Sequence, residues 1–260
     1  MVEISDREGE RLGLWITSWL REQLEKSGSQ GFVVGISGGI DSAVVAGLCE
    51  RAAPGRVLGL IEPCHSLAQD IEDARAVAEH FGLHTITVDL TPVYDQLVQL
   101  CNAAAGQEAG AYLDPGVEAQ RLALANLKPR LRMLTNYYFA NRRRYLVAGT
   151  GNRSELSVGY FTKYGDGGVD LLPLGNLVKA QVRAVARWLG VPQPIIDKPP
   201  SAGLWPGQTD EGEMGLTYAD LDRFLLGGEV APPVARRIRQ LMQASEHKRA
   251  PIPICPLPPA

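Results

Sequence analysis

The sequence has no paired cysteines, no basic excess and no long apolar run, and each absence narrows the class of protein. Its four cysteines, Cys49, Cys64, Cys101 and Cys255, stand singly. They predict neither a disulfide framework nor a zinc ribbon, because both need closely spaced pairs. The formal net charge of −3 lacks the basic surplus that binding along a nucleic-acid backbone requires. We therefore expect no nucleic-acid partner.

Nothing near Met1 has the composition of a signal peptide. The first residues include Glu3, Asp6, Glu8 and Glu10 rather than a basic and then an apolar stretch, and no apolar run is long enough to cross a bilayer. With 260 residues, of which 45% are hydrophobic and 21% charged, the chain can bury a full core. We expect a cytoplasmic protein with a single domain over residues 1–260 and no membrane partner.

Apolar runs typical of buried strands alternate with segments of helical periodicity. The strand candidates are residues 31–34, 56–61, 84–89 and 145–149, and helices are predicted over 4–26, 42–51, 70–80, 92–105, 117–141, 176–189, 218–226 and 232–247. Short turns join these segments, as in right-handed βαβ units. The order predicts an α/β fold of the Rossmann-like type, a parallel twisted sheet with helices on both faces and a ligand site at the carboxyl ends of the strands.

Several stretches rich in glycine or proline interrupt this alternation. Residues 160–170 are predicted to form a mobile loop, 197–216 a lid or substrate loop, and 250–260 an extended or disordered tail. A turn rich in Gly, Ala, Asp and Pro is expected to end at Gly116, and Pro129 is expected to kink the helix that follows it.

A short loop of small residues separates the first strand candidate from the next helix: Gly35-Ile36-Ser37-Gly38-Gly39-Ile40-Asp41-Ser42. Since glycine has no Cβ, backbone N–H groups and a helix N-terminus can approach a phosphate closely there. The loop lacks the Lys-Ser/Thr end of the Walker loop and the spacing of the dinucleotide fingerprint. An ordinary strand-to-helix turn is the alternative, but Asp41 and Ser42 in the first helical turn favour an anion-binding site.

The order Ser-Gly-Gly-x-Asp-Ser resembles the pyrophosphate loop of the N-type ATP pyrophosphatases, and five further segments are similar to NAD synthetases in particular. These segments are residues 128–133, 149–155, 161–170, 198–211 and 246–249. The resemblance implies a ligase that forms a C–N (amide) bond. ATP adenylates the nicotinic acid carboxylate of deamido-NAD, and ammonia then displaces AMP to give NAD, with pyrophosphate as the other product.

The resemblance assigns the ATP side of the site to the loop, two carboxylates and three further side chains. These residues are Gly35, Ile36, Ser37, Gly38, Gly39, Ile40, Asp41, Ser42, Thr150, Glu155, Lys179 and Ser201. Asp41 and Glu155 are the implied Mg²⁺ ligands, since Mg²⁺ prefers carboxylate oxygens and bridges phosphates. The alternative for both acids is a favourable interaction with a helix dipole. For Lys179 the alternative is a solvated helix lysine.

The resemblance assigns the deamido-NAD side of the site to five residues: Arg130, Lys163, Asp170, His247 and Lys248. Basic groups suit a dinucleotide that carries a pyrophosphate and an additional carboxylate. The run 142–144 of three arginines is interpreted as structural, because cations at a helix end interact favourably with the dipole and with water. Residues 62–67 match the family pattern only in part, so no adenine contact is assigned there.

The resemblance also implies a homodimer that uses free ammonia, or ammonia from a separate protein. Glutamine-using relatives carry an additional amidohydrolase domain with a catalytic cysteine, and 260 residues leave no room for it. Two alternatives stay open. One is another pyrophosphate-loop enzyme, GMP-synthetase-like or tRNA-modifying, although paired cysteines and a basic appended domain are absent. The other is a nucleotide-binding module without catalysis, which has less need of both Asp41 and Glu155.

Overall fold

The computed structural model describes residues 2–105, 116–205 and 207–257. Four strands of the described chain form a parallel sheet in the order β3-β2-β1-β4. In chain order they are β1 (Phe32–Gly35), β2 (Val57–Ile61), β3 (His84–Thr87) and β4 (Leu146–Val147). Phe32 of β1 aligns with Val57 on one side and with Leu146 on the other. The predicted parallel sheet is confirmed, and the chain changes direction across the sheet between β1 and β4, where such folds bind ligands.

Helices cover both faces of this sheet, as predicted. They are α1 (Asp6–Ser27), α2 (Ile40–Ala52), α3 (Ala68–His80), α4 (Thr91–Ala105), α5 (Gly116–Arg143), α6 (Arg153–Val158), α7 (Lys179–Leu189), α8 (Gln193–Asp197), α9 (Asp210–Met214), α10 (Tyr218–Leu225), α11 (Pro232–Ala244) and α12 (Glu246–Arg249). Successive strand side chains point to opposite faces. Val34 therefore packs with α1, α2 and α7, whereas Val33 packs with α5.

A second apolar cluster lies next to this core and supports the site described below. Val158 at the end of α6 packs there with Met214, Tyr218 and Leu221 from α9 and α10, and with Ile238 from α11. This cluster fixes the start of α10 against α6. None of the helices in the described ranges combines the length and the apolar character needed to cross a lipid bilayer.

Some boundaries differ from the sequence prediction. The helix predicted from residue 176 begins at Lys179, and the predicted irregular segment 197–216 contains α9, which Thr209 caps by accepting a hydrogen bond from Gly212 N. α5 continues through Pro129 as one helix, because the rest of a long packed helix tolerates the loss of one hydrogen bond. Residues 106–115 of the predicted turn, Pro206 and residues 258–260 of the predicted tail lie outside the described residues.

The turn from β1 into α2 depends on Gly38. Its φ is +78°, in the left-handed region where a side chain is strained. A Cβ at this position would also lie 2.6 Å from Asp70 O and 2.8 Å from Asp73 Cβ. α3 therefore backs the loop 35–42 so closely that only a glycine fits.

We expect Gly38→Ala to lower the free energy of unfolding by about 3 kcal/mol, from backbone strain and overpacking together. Gly55→Ala is the matched control, because Gly55 has a φ of +70° but nothing within 4 Å of its Cβ position. That variant should lose only about 1 kcal/mol. Urea denaturation measures both values, and equal losses would mean that the loop moves away from α3 at little cost.

Candidate active site

Two polar segments meet at the carboxyl ends of β1 and β4. Residues 35–42 lead from β1 into α2, and residues 148–153 lead from β4 into α6. Since β1 and β4 are parallel neighbours, their ends lie side by side at one edge of the sheet. Asn152 Nδ2 donates a hydrogen bond of 2.9 Å to Asp41 Oδ1. The two segments therefore form one continuous polar surface.

Hydroxyl groups brace the loop 35–42 from within. Ser42 Oγ donates to Gly39 O at 2.9 Å and accepts from Ser37 N at 3.2 Å. Ser37 Oγ accepts from Gly39 N at 3.3 Å. Gly39 is the N-cap of α2 and offers no side-chain acceptor to the first helical N–H groups. The N-terminal end of α2 is therefore suited to an anion.

Asp41 and Glu155 converge on one buried cation. Lys179, the first residue of α7, is 2% exposed, and its Nζ lies 2.5 Å from Asp41 Oδ2 and 3.1 Å from Glu155 Oε1. Burial by itself lowers the pKa of Lys179, but the two carboxylates outweigh burial and raise it. Lys179 is thus charged at neutral pH, and the alternative of a solvated helix lysine is wrong.

The first turn of α6 positions Glu155. Its backbone N donates to Asn152 Oδ1 at 3.1 Å, and its Oε2 accepts from Asn152 N at 3.4 Å, so the two residues form a capping box. Burial raises the pKa of Glu155; the charge of Lys179 opposes this shift and the charge of Asp41 adds to it. The carboxylate is held in place by the same turn that places Asn152 against Asp41.

This donor set fits a magnesium ion that binds together with a nucleotide. Among the described residues, no group of three or more His, Cys, Asp or Glu side chains could hold a metal. Mg²⁺ in phosphate-transfer sites is bound by one or two carboxylates, with phosphate oxygens and water completing the shell. Asp41 and Glu155 supply two carboxylates that already share a positive charge, that of Lys179 Nζ.

The other two side chains assigned to ATP lie in different surroundings. Thr150 is half-buried between β4 and α6. Ser201 Oγ donates to Gln208 O at 2.9 Å and accepts from Gly203 N at 3.1 Å, so this hydroxyl is engaged within its own loop. That loop is tied to α3 by Lys198, whose Nζ donates to Asp70 Oδ1 at 2.8 Å and also to Asp73.

Four of the five residues whose side chains are assigned to deamido-NAD form a second group, to which His247 contributes its backbone carbonyl. Arg130 Nη2 donates to Lys163 O at 3.3 Å, and Lys163 Nζ donates to His247 O at 2.7 Å. Lys248 Nζ donates to two carbonyls of the segment 159–161, at 2.7 and 2.8 Å. The loop predicted at 160–170 is therefore fastened to α5 on one side and to α12 on the other.

Asp170 is the fifth of these side chains, and it is held at β4. Its Oδ2 accepts from Val147 N at 2.8 Å, and its Oδ1 accepts from Tyr137 OH at 3.0 Å. Burial, reinforced by Asp170, raises the pKa of Tyr137 to about 12. The structure therefore places Asp170 beside β4, where its carboxylate is bonded to Val147 and Tyr137 rather than to the group of Arg130 and Lys163.

Sequence reasoning missed residues that support the carboxylates. Tyr218 is 2% exposed; its OH donates to Asp210 Oδ2 at 2.8 Å and lies 3.2 Å from Glu155 Oε1. The Tyr218 ring lies 4.9 Å from Lys179 Nζ. Asn152 could have been found as a polar residue directly after a strand. Nothing local signals Tyr218 or Asp210, because both reach Glu155 only through the packing of α9 and α10 on α6.

Comparison with known proteins shows the family of the chain. The model of the family described as NAD synthase matches residues 14–252. An "NH(3)-dependent NAD(+) synthetase" from Carboxydothermus hydrogenoformans is 51% identical over 242 residues, which cover 93% of this chain and 95% of that protein. The resemblance drawn from six sequence segments is therefore confirmed.

Solved structures agree as well. The structure of an NMN synthetase from Francisella tularensis superposes with a TM-score of 0.86 at 36% identity, over 98% of this chain and 99% of that one. An NH3-dependent NAD synthetase from Campylobacter jejuni superposes with a TM-score of 0.74 at 28% identity, over 95% of this chain and 99% of that one. The chain belongs to the NAD synthase family.

Proposed function

We propose that this chain converts deamido-NAD to NAD with free ammonia, driven by cleavage of ATP to AMP and pyrophosphate. A ligase of the NAD synthase family uses ATP. The observation that carries the proposal is the convergence of Asp41, Glu155 and Lys179 beside the N-terminal end of α2. Two carboxylates, one buried cation and free helix N–H groups are what a nucleotide triphosphate bound with magnesium requires.

The chemistry explains why ATP is needed. A nicotinic acid carboxylate repels nucleophiles and has no good leaving group. When a carboxylate oxygen attacks the α-phosphorus of ATP, a C–O–P link forms, the bond between the α-phosphorus and the bridging oxygen breaks, and pyrophosphate leaves. The nitrogen lone pair of ammonia then attacks the carbonyl carbon, the nitrogen loses a proton to water, and AMP departs with the oxygen that it gained. Positive groups around the transferring phosphorus lower the barrier to the first step.

The ATP residues divide this work. Backbone N–H groups of the first turn of α2 bind the β- and γ-phosphates, and Lys179 places a fixed charge next to them. Asp41 and Glu155 would hold Mg²⁺, which neutralises charge on the phosphates when it is bound. Thr150 contacts the nucleotide, and Ser201, whose hydroxyl orders its own loop, completes the ATP side.

The second group of residues binds the substrate that carries the carboxylate. Arg130, Lys163 and Lys248 supply positive charge for its phosphates, while Asp170 and His247 orient its sugar and ring portions. The segment 160–170 acts as a substrate loop, fastened through Arg130 and Lys163, and the segment 197–216 closes over the ATP side. Both assignments are supported by the hydrogen bonds that tie these loops to α5, α12 and α3.

A homodimer is part of the proposal. α4 has no buried residue, and α4 and α5 expose large apolar side chains, among them Val93, Leu100, Leu122, Leu134 and Tyr138. Such a surface is typical of a subunit interface. Light scattering after gel filtration tests this point: a dimer mass is expected, and a monomer at micromolar concentration would contradict it.

Nicotinic acid mononucleotide is a second candidate substrate. It carries the same carboxylate on the same pyridine ring, so the adenylation chemistry is unchanged. The observation that favours it is the TM-score of 0.86 with a structure described as an NMN synthetase, against 0.74 with an NH3-dependent NAD synthetase.

One product assay tests both candidates. The purified chain is given ATP and Mg²⁺ with either deamido-NAD or nicotinic acid mononucleotide, and with either ammonium or glutamine, and the products are separated by ion-exchange chromatography. We expect NAD, AMP and pyrophosphate with deamido-NAD and ammonium. Faster amidation of the mononucleotide would favour the second candidate. Formation of ADP and phosphate, or turnover with glutamine alone, would contradict the proposed function.

A further inference from the structure

A buried carboxyl group lies beside the phosphate loop on the α5 face of the sheet. Glu62 directly follows β2, and by strand alternation its side chain points to the same face as Leu58 and Leu60, which pack with α5. Glu62 is 7% exposed, and its Oε1 has no hydrogen-bond partner in the described structure. Asn136 of α5 lies beside it, and Asn136 Oδ1 also lacks a partner there. When Glu62 is ionised, these are two adjacent buried acceptors to which the described part of the chain offers no donor, so a donor from outside the chain would satisfy both.

Gly35 lies against both of these side chains. A Cβ built on Gly35 would lie 3.4 Å from Glu62 Oε2, 3.6 Å from Asn136 Nδ2 and 3.8 Å from Asn136 Oδ1. Ammonium carries a positive charge and only donates hydrogen bonds, so it suits two acceptors that lack a donor. Gly35 ends β1 and opens the loop 35–42, so Glu62 and Asn136 adjoin the ATP side of the site.

We propose that Glu62 and Asn136 bind the ammonium ion and that Glu62 removes its proton. Glu62 and Asn136 accept N–H hydrogen bonds from the ion. One N–H bond then breaks, its proton moves to the Glu62 carboxylate, and the freed lone pair makes neutral ammonia the nucleophile. Ammonia attacks the carbonyl carbon of the adenylated substrate, the nitrogen releases one further proton to water, and AMP leaves with the bridging oxygen. The inference rests on the proposed function and names the nitrogen site within it.

The surroundings of Glu62 suit a base. Burial raises the pKa of Glu62 to about 8, while the charge of Arg132 and a hydrogen bond from Asn136 act in the opposite direction. Arg132 is the charged group that faces it from α5, and Arg132 Nε donates to Glu62 O at 3.1 Å. Cys64, the nearest titratable neighbour along the chain, also lies in the field of Arg132. A carboxyl with so high a pKa accepts a proton from ammonium more readily than an ordinary glutamate does.

The test compares two nucleophiles in Glu62→Gln and Asn136→Leu. Hydroxylamine is largely unprotonated at neutral pH and needs no base, whereas ammonium does. Exchange of labelled pyrophosphate into ATP, run without a nitrogen source, reports adenylation separately. For Glu62→Gln we expect kcat/KM for ammonium to fall roughly 100-fold, with hydroxamate formation and pyrophosphate exchange unchanged. For Asn136→Leu we expect a higher KM for ammonium with kcat retained.

Three results would overturn the assignment of the ammonium site. One is an equal loss with ammonium and hydroxylamine, which indicates a structural role. Another is an unchanged kcat/KM for ammonium in Glu62→Gln. The third is a rise in the KM for ATP alone, which places the pair against the nucleotide. A wild-type chain that exchanges pyrophosphate but forms no amide with either nucleophile would contradict the proposed function itself, and the ammonium site with it.

Discussion

Asp41→Ala is expected to lower the rate of pyrophosphate release by about 10³-fold, the scale seen when one preorganised electrostatic group is removed from a transition state. The substitution takes away a proposed Mg²⁺ ligand and the nearest carboxylate to Lys179 Nζ, at 2.5 Å. Asp41 lies in the first turn of α2, where an acidic side chain contributes at most about 1 kcal/mol to helix stability through the dipole. The substitution also takes one of two carboxylates from the buried Lys179 Nζ, which lowers the free energy of unfolding, but Glu155 remains as a partner. We therefore expect a folded but less stable variant.

A coupled pyrophosphate assay and a urea denaturation curve measure the two effects in the same preparation. Glu72→Ala is the control, because Glu72 is an exposed acid on the neighbouring helix α3 and removes the same charge from the chain. The control should release pyrophosphate at the wild-type rate. If Asp41→Ala also released it at that rate, Asp41 would not belong to the metal site.

Lys179→Met is expected to reduce both activity and stability. Asp41 and Glu155, both partly exposed, would lose the buried counter-charge that they share, and breaking such an ion pair from one side costs roughly 3 kcal/mol. Without Lys179 the pKa of Glu155, already raised by burial, rises further. A carboxyl whose pKa is higher in the folded state binds its proton more tightly there, so folding of the variant is favoured as the pH falls through that pKa. The loss in the free energy of unfolding relative to wild type should therefore be large at pH 8 and smaller at pH 5.5.

Urea denaturation at the two pH values measures this difference. Lys26→Met serves as the control, since Lys26 pairs with Glu22 on the exposed face of α1 and such surface pairs contribute no more than about 1 kcal/mol. Added Mg²⁺ should restore stability to Lys179→Met more than to wild type, because the freed carboxylates can then hold the ion. A deficit that does not change with pH would mean that Asp41 and Glu155 do not repel each other in the variant.

The sequence was informative where function depends on residues that follow a strand directly. The loop 35–42 and Glu155 could be placed at one edge of the sheet because parallel strands all end there. Lys179 could not be placed in this way, since a lysine at a helix start is most often solvated and its burial depends on how α7 packs on α1 and α2. Three further residues lie at the site only because of tertiary packing: Tyr218 from α10, Asp210 from α9 and Asn136 from α5. No local sequence pattern links them to it.

The same reasoning explains the differences in element boundaries. Residues 176–178 continue the apolar pattern of α7, but the backbone N of Lys179 is held by Ser154 Oγ at 3.1 Å, which fixes the helix start at that point. The segment 197–216 has the composition of a loop, yet Thr209 caps the short helix α9 within it. One side-chain contact therefore sets each boundary: Ser154 sets the start of α7, and Thr209 sets the start of α9.

The most direct test of the proposed adenylation traces the carboxylate oxygens of the substrate with an isotope label. Deamido-NAD labelled with ¹⁸O in both carboxylate oxygens is turned over with ATP, Mg²⁺ and ammonium, and the products are analysed by mass spectrometry. If the site adenylates the carboxylate, one labelled oxygen appears in AMP and the other remains in the amide of NAD. Unlabelled AMP, or label in released phosphate, would contradict adenylation at this site.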